Sequence, residues 1–435
     1  MRQLTVPMAC CILAISLAAA ANSSLTSEVI HDLFSDDLAL TSSLNVHRLD
    51  PTGRLVAWLE GGDRVSVFDV ATGEARAVPL PEFMRPVTEF EWSPDGQRIA
   101  MTENAFLYLY EPDVWVLDLD SSATADCTND LDFGSILDDS TDPWIDLFPT
   151  WLSADSVAFI RPSGDGPYGS AEVRVLSPTG CSVIDERADS ASTRILWPLP
   201  DGFPSAFRIF RSPVWSPDGR RVAVVTQDLT FDGTTNGIWI LDALTGTTEQ
   251  FVPTPEFSIG FPAWYDTTSI VPQDVTWIEG SAHLLAFVED MSSTAGWPRM
   301  NLFLVDAETG VIEPVATYAD ALTRLDLFEE GVDGHTGVYD VPLQAVILPN
   351  DAGFLTLHQE IDPARSDAAD VEIRRHVIED GRAVLRDRET FTAAPRARGR
   401  GPTIVRMCEN GVALVLNRYL IAFDTNLFDR DAPAD

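Results

Sequence analysis

The chain contains no lysine. All 29 of its basic residues are arginine, set against 67 acidic residues, for a formal net charge of −38. So little positive charge argues against nucleic acid as a partner, because phosphate binding needs basic residues concentrated on one surface. Without lysine there is also no Gly-Lys-Ser/Thr phosphate loop. Cysteine is scarce: of five, Cys10 and Cys11 fall in the N-terminal apolar run, leaving Cys127, Cys181 and Cys408. The six histidines include no His-x-x-x-His pair. There is no Gly-x-Ser-x-Gly nucleophile elbow. Beyond residue 21 no apolar run is long enough to span a bilayer. A GC-rich genome that favours arginine codons and a saline habitat that favours acidic surfaces both account for the charge balance.

What the chain does have is a long-period repeat. Trp92-Ser93-Pro94-Asp95-Gly96 recurs as Trp215-Ser216-Pro217-Asp218-Gly219, each followed by two polar residues and an apolar run. Weaker copies are Leu49–Gly53, Trp151–Asp155, Trp277–Gly280, Leu348–Gly353 and Cys408–Gly411. A second signature alternates with the first. It is an apolar strand ending in Asp, with Thr-Gly shortly after, as in Val67–Gly73, Trp239–Gly246 and Leu304–Gly310. Its markers fall at 69, 118, 177, 242, 306, 379 and 424. This is hairpin chemistry. Asp accepts hydrogen bonds from amides just ahead of it and starts the turn. Gly then supplies the left-handed conformation that the loop requires. Seven alternating pairs, spaced near or above the roughly 40–50 residues of a four-stranded blade, predict an all-β propeller. Seven blades are expected, with six or eight remaining open.

Both signatures together resemble the WD40-like (PD40) repeat of the TolB-like β-propellers. The resemblance covers about residues 44–430. It implies a propeller fold and, by analogy with that family, a place in the bacterial envelope. It carries over no catalytic residue, since the motif is a structural turn in that family.

Residues 1–21 read as an export signal: one early charge, Arg2, then an apolar run ending in Ala19-Ala20-Ala21. An uncleaved anchor is the alternative, and the only expected tie to a membrane. The expected location is periplasmic or extracellular. Residues 22–43 are expected to form a short helix around 27–34 or to donate the strand that closes the ring, and 431–435 to be a tail. In an oxidising compartment Cys127 and Cys181 are candidates to pair, although spacing alone cannot establish it.

Four stretches read as insertions: 118–144, 188–210, 253–270 and 326–340. The first holds Asp118, Asp120, Asp126, Asp130, Asp132, Asp138, Asp139 and Asp142. Calcium is compatible with so many hard oxygens, but the EF-hand pattern is missing and a solvated acidic loop is the favoured reading. No cofactor is expected. Arg396, Arg398 and Arg400 form the one local basic cluster, a candidate anion or partner patch that Arg374-Arg375-His376 could extend. Glu28 and His31 make a single Glu-x-x-His with no second copy.

The resulting expectation is an exported, monomeric, non-catalytic propeller binding a protein or peptide, with an envelope protein as a candidate, through rim loops or the central funnel. Two alternatives stay open. One is a propeller hydrolase or lyase with a metal or His/carboxylate site in the funnel. The other is a structural or glycan-binding surface module using Trp197, Trp264 or Trp297.

Overall fold

The computed structural model describes residues 28–32, 48–50, 54–60, 63–69, 72, 74–81, 87–103, 113–128, 146–163, 170–181, 193–200, 212–226, 236–260, 270–278, 280–290, 300–317, 339–347, 353–361, 370–392, 403–408, 411–416 and 419–424. Strand β1 (Glu28–Asp32) precedes six consecutive groups of four. Sheet 1 is β2 (Arg48–Leu49), β3 (Leu55–Glu60), β4 (Arg64–Asp69) and β5 (Glu74–Pro79). Sheet 2 is β6 (Val87–Trp92), β7 (Arg98–Glu103), β8 (Val114–Asp118) and β9 (Ala123–Asp126). Sheet 3 is β10 (Leu147–Ser153), β11 (Ser156–Ser163), β12 (Ser170–Leu176) and β13 (Thr193–Pro198). Sheet 4 is β14 (Val214–Trp215), β15 (Arg221–Thr226), β16 (Gly237–Asp242) and β17 (Thr248–Pro253). Sheet 5 is β18 (Ile270–Trp277), β19 (His283–Asp290), β20 (Met300–Asp306) and β21 (Ile312–Ala316). Sheet 6 is β22 (Tyr339–Ile347), β23 (Gly353–Ile361), β24 (Asp370–Glu379) and β25 (Arg382–Thr392).

Sheet 7 differs in one respect. β26 (Thr403–Cys408), β27 (Gly411–Leu416) and β28 (Tyr419–Asp424) come from the C-terminal region, and the fourth strand is β1. β1 pairs antiparallel with β28, Glu28 opposite Ala422 and Asp32 opposite Tyr419, with an irregularity between Val29 and His31. Residues 28–32 are therefore a strand, not a helix, and Glu28 and His31 do not share the helical face that their spacing would require.

The chain is a β-propeller. Among the described residues all seven four-stranded sheets are antiparallel, six as continuous meanders and the seventh completed by β1. Apolar clusters cross from each sheet to the next: Ala57 and Val67 with Phe90 and Trp92, then Ala100 and Val116 with Val157 and Phe159. Val173 and Trp197 meet Val222 and Leu241, Ala223 and Ile240 meet Val275 and Trp277, and Leu302 and Leu304 meet Phe354. β22 touches β26, and β26 touches β2, which brings the last sheet against the first. The third strand β16 reads as a nearly unbroken apolar run because neighbouring sheets cover both its faces, and its first five residues are buried. Fourth strands lie outermost, and β5 is largely exposed.

This topology gives the ring two faces. Hairpins between first and second strands, and between third and fourth, open on one face. Second-to-third connections and crossings to the next sheet open on the other. In sheets 1 to 6 the two sequence signatures fall at the two hairpins, and in sheet 7 the first falls between β26 and β27 while the second ends β28, so both mark the first face, called the turn face below.

Two of the stretches read as insertions contain regular strands. β9 lies within 118–144 and β13 within 188–210. In β9 the two buried residues are Thr124 and Asp126, so no apolar run announces it. Within 253–270, a 3-10 helix at Thr254–Gly260 carries Phe257, which is fully buried with its ring centroid 5.1 Å from that of Phe303. That aromatic packs the loop onto sheet 5 and offers no binding face. The stretch 326–340 lies outside the described residues apart from Tyr339 and Asp340.

Candidate partner-binding surface

The Trp-Ser-Pro-Asp-Gly turns are built by side chains. The Ser93 hydroxyl donates to Asp95 Oδ1 at 2.6 Å and accepts from Arg98 N–H, while Gln97 N–H donates to Asp95. Ser216, Asp218, Arg220 and Arg221 repeat the arrangement. Pro94 and Pro217 occupy the turns, and Gly96 and Gly219 both take φ 69°. In the weaker copy at Leu49–Gly53, Asp50 accepts from Arg54 N–H and Leu55 N–H. The Ser216 hydroxyl and then Arg220 N–H hold Asp218 below the usual carboxylate range.

The second hairpins are equally explicit. Asp242 Oδ1 accepts from Leu244 N–H, Thr245 N–H and the Thr245 hydroxyl, and Asp306 from Glu308 and Thr309 N–H. Asp69 and Asp118 accept from Thr72 and Ser121. The Thr245 hydroxyl, then its N–H, lowers the pKa of Asp242. Gly246 is required twice over. Its φ is +71°, and a Cβ there would meet the Trp197 ring at 2.6 Å. The same holds at Gly310, φ +72°, where a Cβ would meet Gln250 at 2.3 Å. The outer strand of one sheet thus covers the turn glycine of the next.

The same chemistry at two motif Trp positions stitches inner strands. Trp151 Nε1–H donates across the seam to Glu91 O at 3.1 Å, and Trp277 Nε1–H to Val214 O at 2.8 Å. The acceptors immediately precede Trp92 and Trp215. Arg98 crosses the same seam as Trp151, donating to Ala154 O at 2.7 Å with its guanidinium 5.5 Å from the Trp151 ring centroid. Arg221 reaches Glu249 at 2.7 Å and Glu308 of sheet 5 at 3.3 Å.

Charge is also buried between sheets 2 and 3. Asp146 is fully buried and Arg161 is 2% exposed. Arg161 Nε donates to Asp146 Oδ1 at 2.6 Å, and a second nitrogen donates to Oδ2. Burial pushes the Asp146 carboxyl up, and the Arg161 pair opposes that rise. Thr102 donates to Asp146 O, tying sheet 2 to the pair. Cys127, just after β9, and Cys181, after β12, form a disulfide with Cα atoms 4.6 Å apart across this seam.

Sequence-predicted candidates separate into three groups. Arg396, Arg398 and Arg400 lie outside the described residues, as do Trp264, Trp297, Asp130, Asp132, Asp138, Asp139 and Asp142. Arg374 and His376 do not extend a surface patch: Arg374 bonds Glu372, and His376 is 4% exposed. Trp197 is 3% exposed, with its indole N–H on Ala243 O, so it cannot present a flat face to a sugar. Among the acidic stretch, Asp118 caps a turn and Asp126 is buried. Among the described residues no group of three or more His, Cys, Asp or Glu side chains could hold a metal ion.

Sequence reasoning missed the seam between sheets 5 and 6. All three histidines whose side chains are described belong to these two sheets. His358 and His376 each share a hydrogen bond with the Thr356 hydroxyl, at 2.9 and 3.1 Å, and His376 stacks on Phe354. Burial, then His358 and Arg374, pushes His376 down to about 3. Toward the turn face the seam opens into a groove of about 510 Å³, floored by Leu304 and Ile312 and rimmed by His283, Glu313, Asp380 and Arg382. A second groove, of about 490 Å³, lies across the Gly310–Val311 turn, over Phe251 and Glu256. The signal was scattered over a hundred residues, with no local motif.

No protein-family profile matches the chain, and no curated protein matches its sequence. Solved structures do match its fold. A chain of a structure described as the mitotic checkpoint complex is 12% identical, with a TM-score of 0.50 and 98% of each chain covered. A chain of the Kuenenia stuttgartiensis hydrazine synthase structure is 8% identical, with a TM-score of 0.49, covering 90% of this chain and 99% of that one. A putative TolB from Agrobacterium tumefaciens is 13% identical, with a TM-score of 0.38, covering 62% and 79%. At these identities the likeness concerns the fold alone.

Proposed function

We propose that the protein is an exported, non-catalytic propeller that binds a protein or peptide partner. The observation that carries this reading is how the described polar groups are used. Asp50, Asp69, Asp95, Asp118, Asp218, Asp242 and Asp306 hold turns, Asp146 holds Arg161, and the Thr356 hydroxyl holds His358 and His376. Groups so engaged in local structure are poorly placed for acid–base work. The grooves at the sheet seams have apolar floors and charged rims, which suits side chains of a partner. The Cys127–Cys181 disulfide and the apolar leader at residues 1–21 support an oxidising, exported location. The resemblance of the repeats to TolB-like propellers makes a cell-envelope protein the favoured partner.

The test is reversible crosslinking in the native cells, followed by capture of the mature protein under denaturing conditions. The expected result is one recurrent protein partner at a fixed ratio. Recovery of the chain alone, at every crosslinker length, would reject the reading.

A further inference from the structure

The seam between sheets 5 and 6 breaks a rule that the two preceding seams obey. Trp197 covers the turn glycine Gly246, and Gln250 covers Gly310. At the next turn, Asp380-Gly381, a Cβ on the glycine would find nothing among the described residues nearer than His283 Nε2, 3.8 Å away. The uncovered space is the groove of about 510 Å³. The Asp380-Gly381 turn itself is unstrained. Asp380 and Gly381 take φ 52° and 76° between the paired Glu379 and Arg382, the geometry of a two-residue type I′ hairpin.

The groove's chemistry is two-tiered. Its floor is Leu304, Ile312 and Pro314. Its rim carries Glu313, Asp380 and Arg382, whose side chains make no hydrogen bond or ion pair with any described residue. His283 Nδ1 is buried without a hydrogen-bond partner among the described residues. Asp306 adds a third carboxylate, whose Oδ1 is engaged by the turn amides. A long aliphatic stem with a cationic head matches this layering: methylenes on the floor, charge at the carboxylates. The opposite sign is disfavoured by three carboxylates against one arginine and by the net charge of −38.

The geometry points to this groove as a subsite for an arginine or lysine side chain of an extended peptide segment of the partner. This rests on the partner-binding reading and adds where a partner residue docks and what its chemistry is. An extended peptide is favoured over a free amine by the second groove. It adjoins the first across Val311, which is 64% exposed, and side chains two apart on a strand share one face.

The test is fluorescence anisotropy with a labelled, C-amidated hexapeptide of glycines bearing one leucine and one arginine two positions apart. Full-length mature protein is titrated at low salt. Saturable binding is expected. Citrulline in place of arginine, or Glu313→Gln with Asp380→Asn in the protein, is expected to weaken it about fivefold to tenfold. Leu244→Ser on the neighbouring turn, where Leu244 is 83% exposed, is expected to leave it unchanged. Unaltered melting of each variant shows that the fold is intact. Binding that ignores citrulline or the carboxylate variants overturns the proposal. Spermidine competing as well as the peptide, with the same sensitivity, overturns the peptide assignment. If a captured native partner still binds and is indifferent to these variants, the subsite falls and the partner-binding reading stands. If no partner is captured either, both fall.

Discussion

Replacing Arg161 by Met strands a carboxylate in the interior. Arg161 and Asp146 are 2% and 0% exposed, so neither charge has water to fall back on. Breaking such a pair by removing one partner costs about 3–5 kcal/mol. Unfolding entropy of roughly 2.1 cal/mol/K per residue makes each kcal/mol worth about 1 °C in a chain of this size, so Tm is expected to fall by about 3–5 °C. The pH dependence is more diagnostic. Burial already pushes the Asp146 carboxyl up, and in the variant the opposing guanidinium is gone. A carboxyl whose folded pKa exceeds its unfolded value, about 3.9, binds a proton in the folded state that the unfolded state does not. Its stability cost is smallest near pH 4 and grows as pH rises through the folded pKa. The deficit of Arg161→Met against the parent, measured by thermal melts from pH 5 to pH 8, should therefore widen with pH. Adding Asp146→Leu should recover most of it, because a buried ion pair exchanged for packed apolar groups is often neutral. A deficit that stays constant with pH, or no deficit, would refute the reasoning.

Three further outcomes are expected. Replacing both Cys127 and Cys181 by Ala removes a crosslink over a separation of 54 residues, which chain entropy values at about 4 kcal/mol, and the loss in Tm should vanish when parent and variant are compared in reductant. Gly246→Ala should destabilise by clearly more than Gly219→Ala, since both take positive φ but only the first meets Trp197, at 2.6 Å; equal losses in urea melts would mean that the Trp197 contact is not there. His376, pushed down to about 3 by burial and its neighbours, is neutral when folded and charges when unfolded near 6.5. Its contribution is therefore complete above about 6.5 and fades as pH falls toward 3, so His376→Phe should flatten the loss of stability between pH 7 and pH 5.

Local chemistry was legible and tertiary chemistry was not. Asp95, Asp218, Asp242 and Asp306 act on amides two or three residues away, so the sequence carries their role within one turn. Seven such turns at long period implied a propeller before any contact was known. The outer strand β9 was hidden because its two buried residues are the polar Thr124 and Asp126, so no apolar run marks it. Within 253–270, read as an insertion, Phe257 is core. Inter-sheet chemistry is silent in the sequence. Nothing local says that Trp151 donates to Glu91 O, or that Arg161 answers Asp146. The groove at sheets 5 and 6 draws on residues 283 to 382, and among the described residues no side chain like Trp197 fills that seam.

The most direct test of a partner-binding, non-catalytic propeller is native mass measurement, with elemental analysis, of the mature protein released gently from its own cells. The account predicts the mass of the chain plus one further protein, with no stoichiometric transition metal. A chain of its own mass carrying a metal in fixed ratio, whose removal abolishes a hydrolytic or lyase activity, would contradict it.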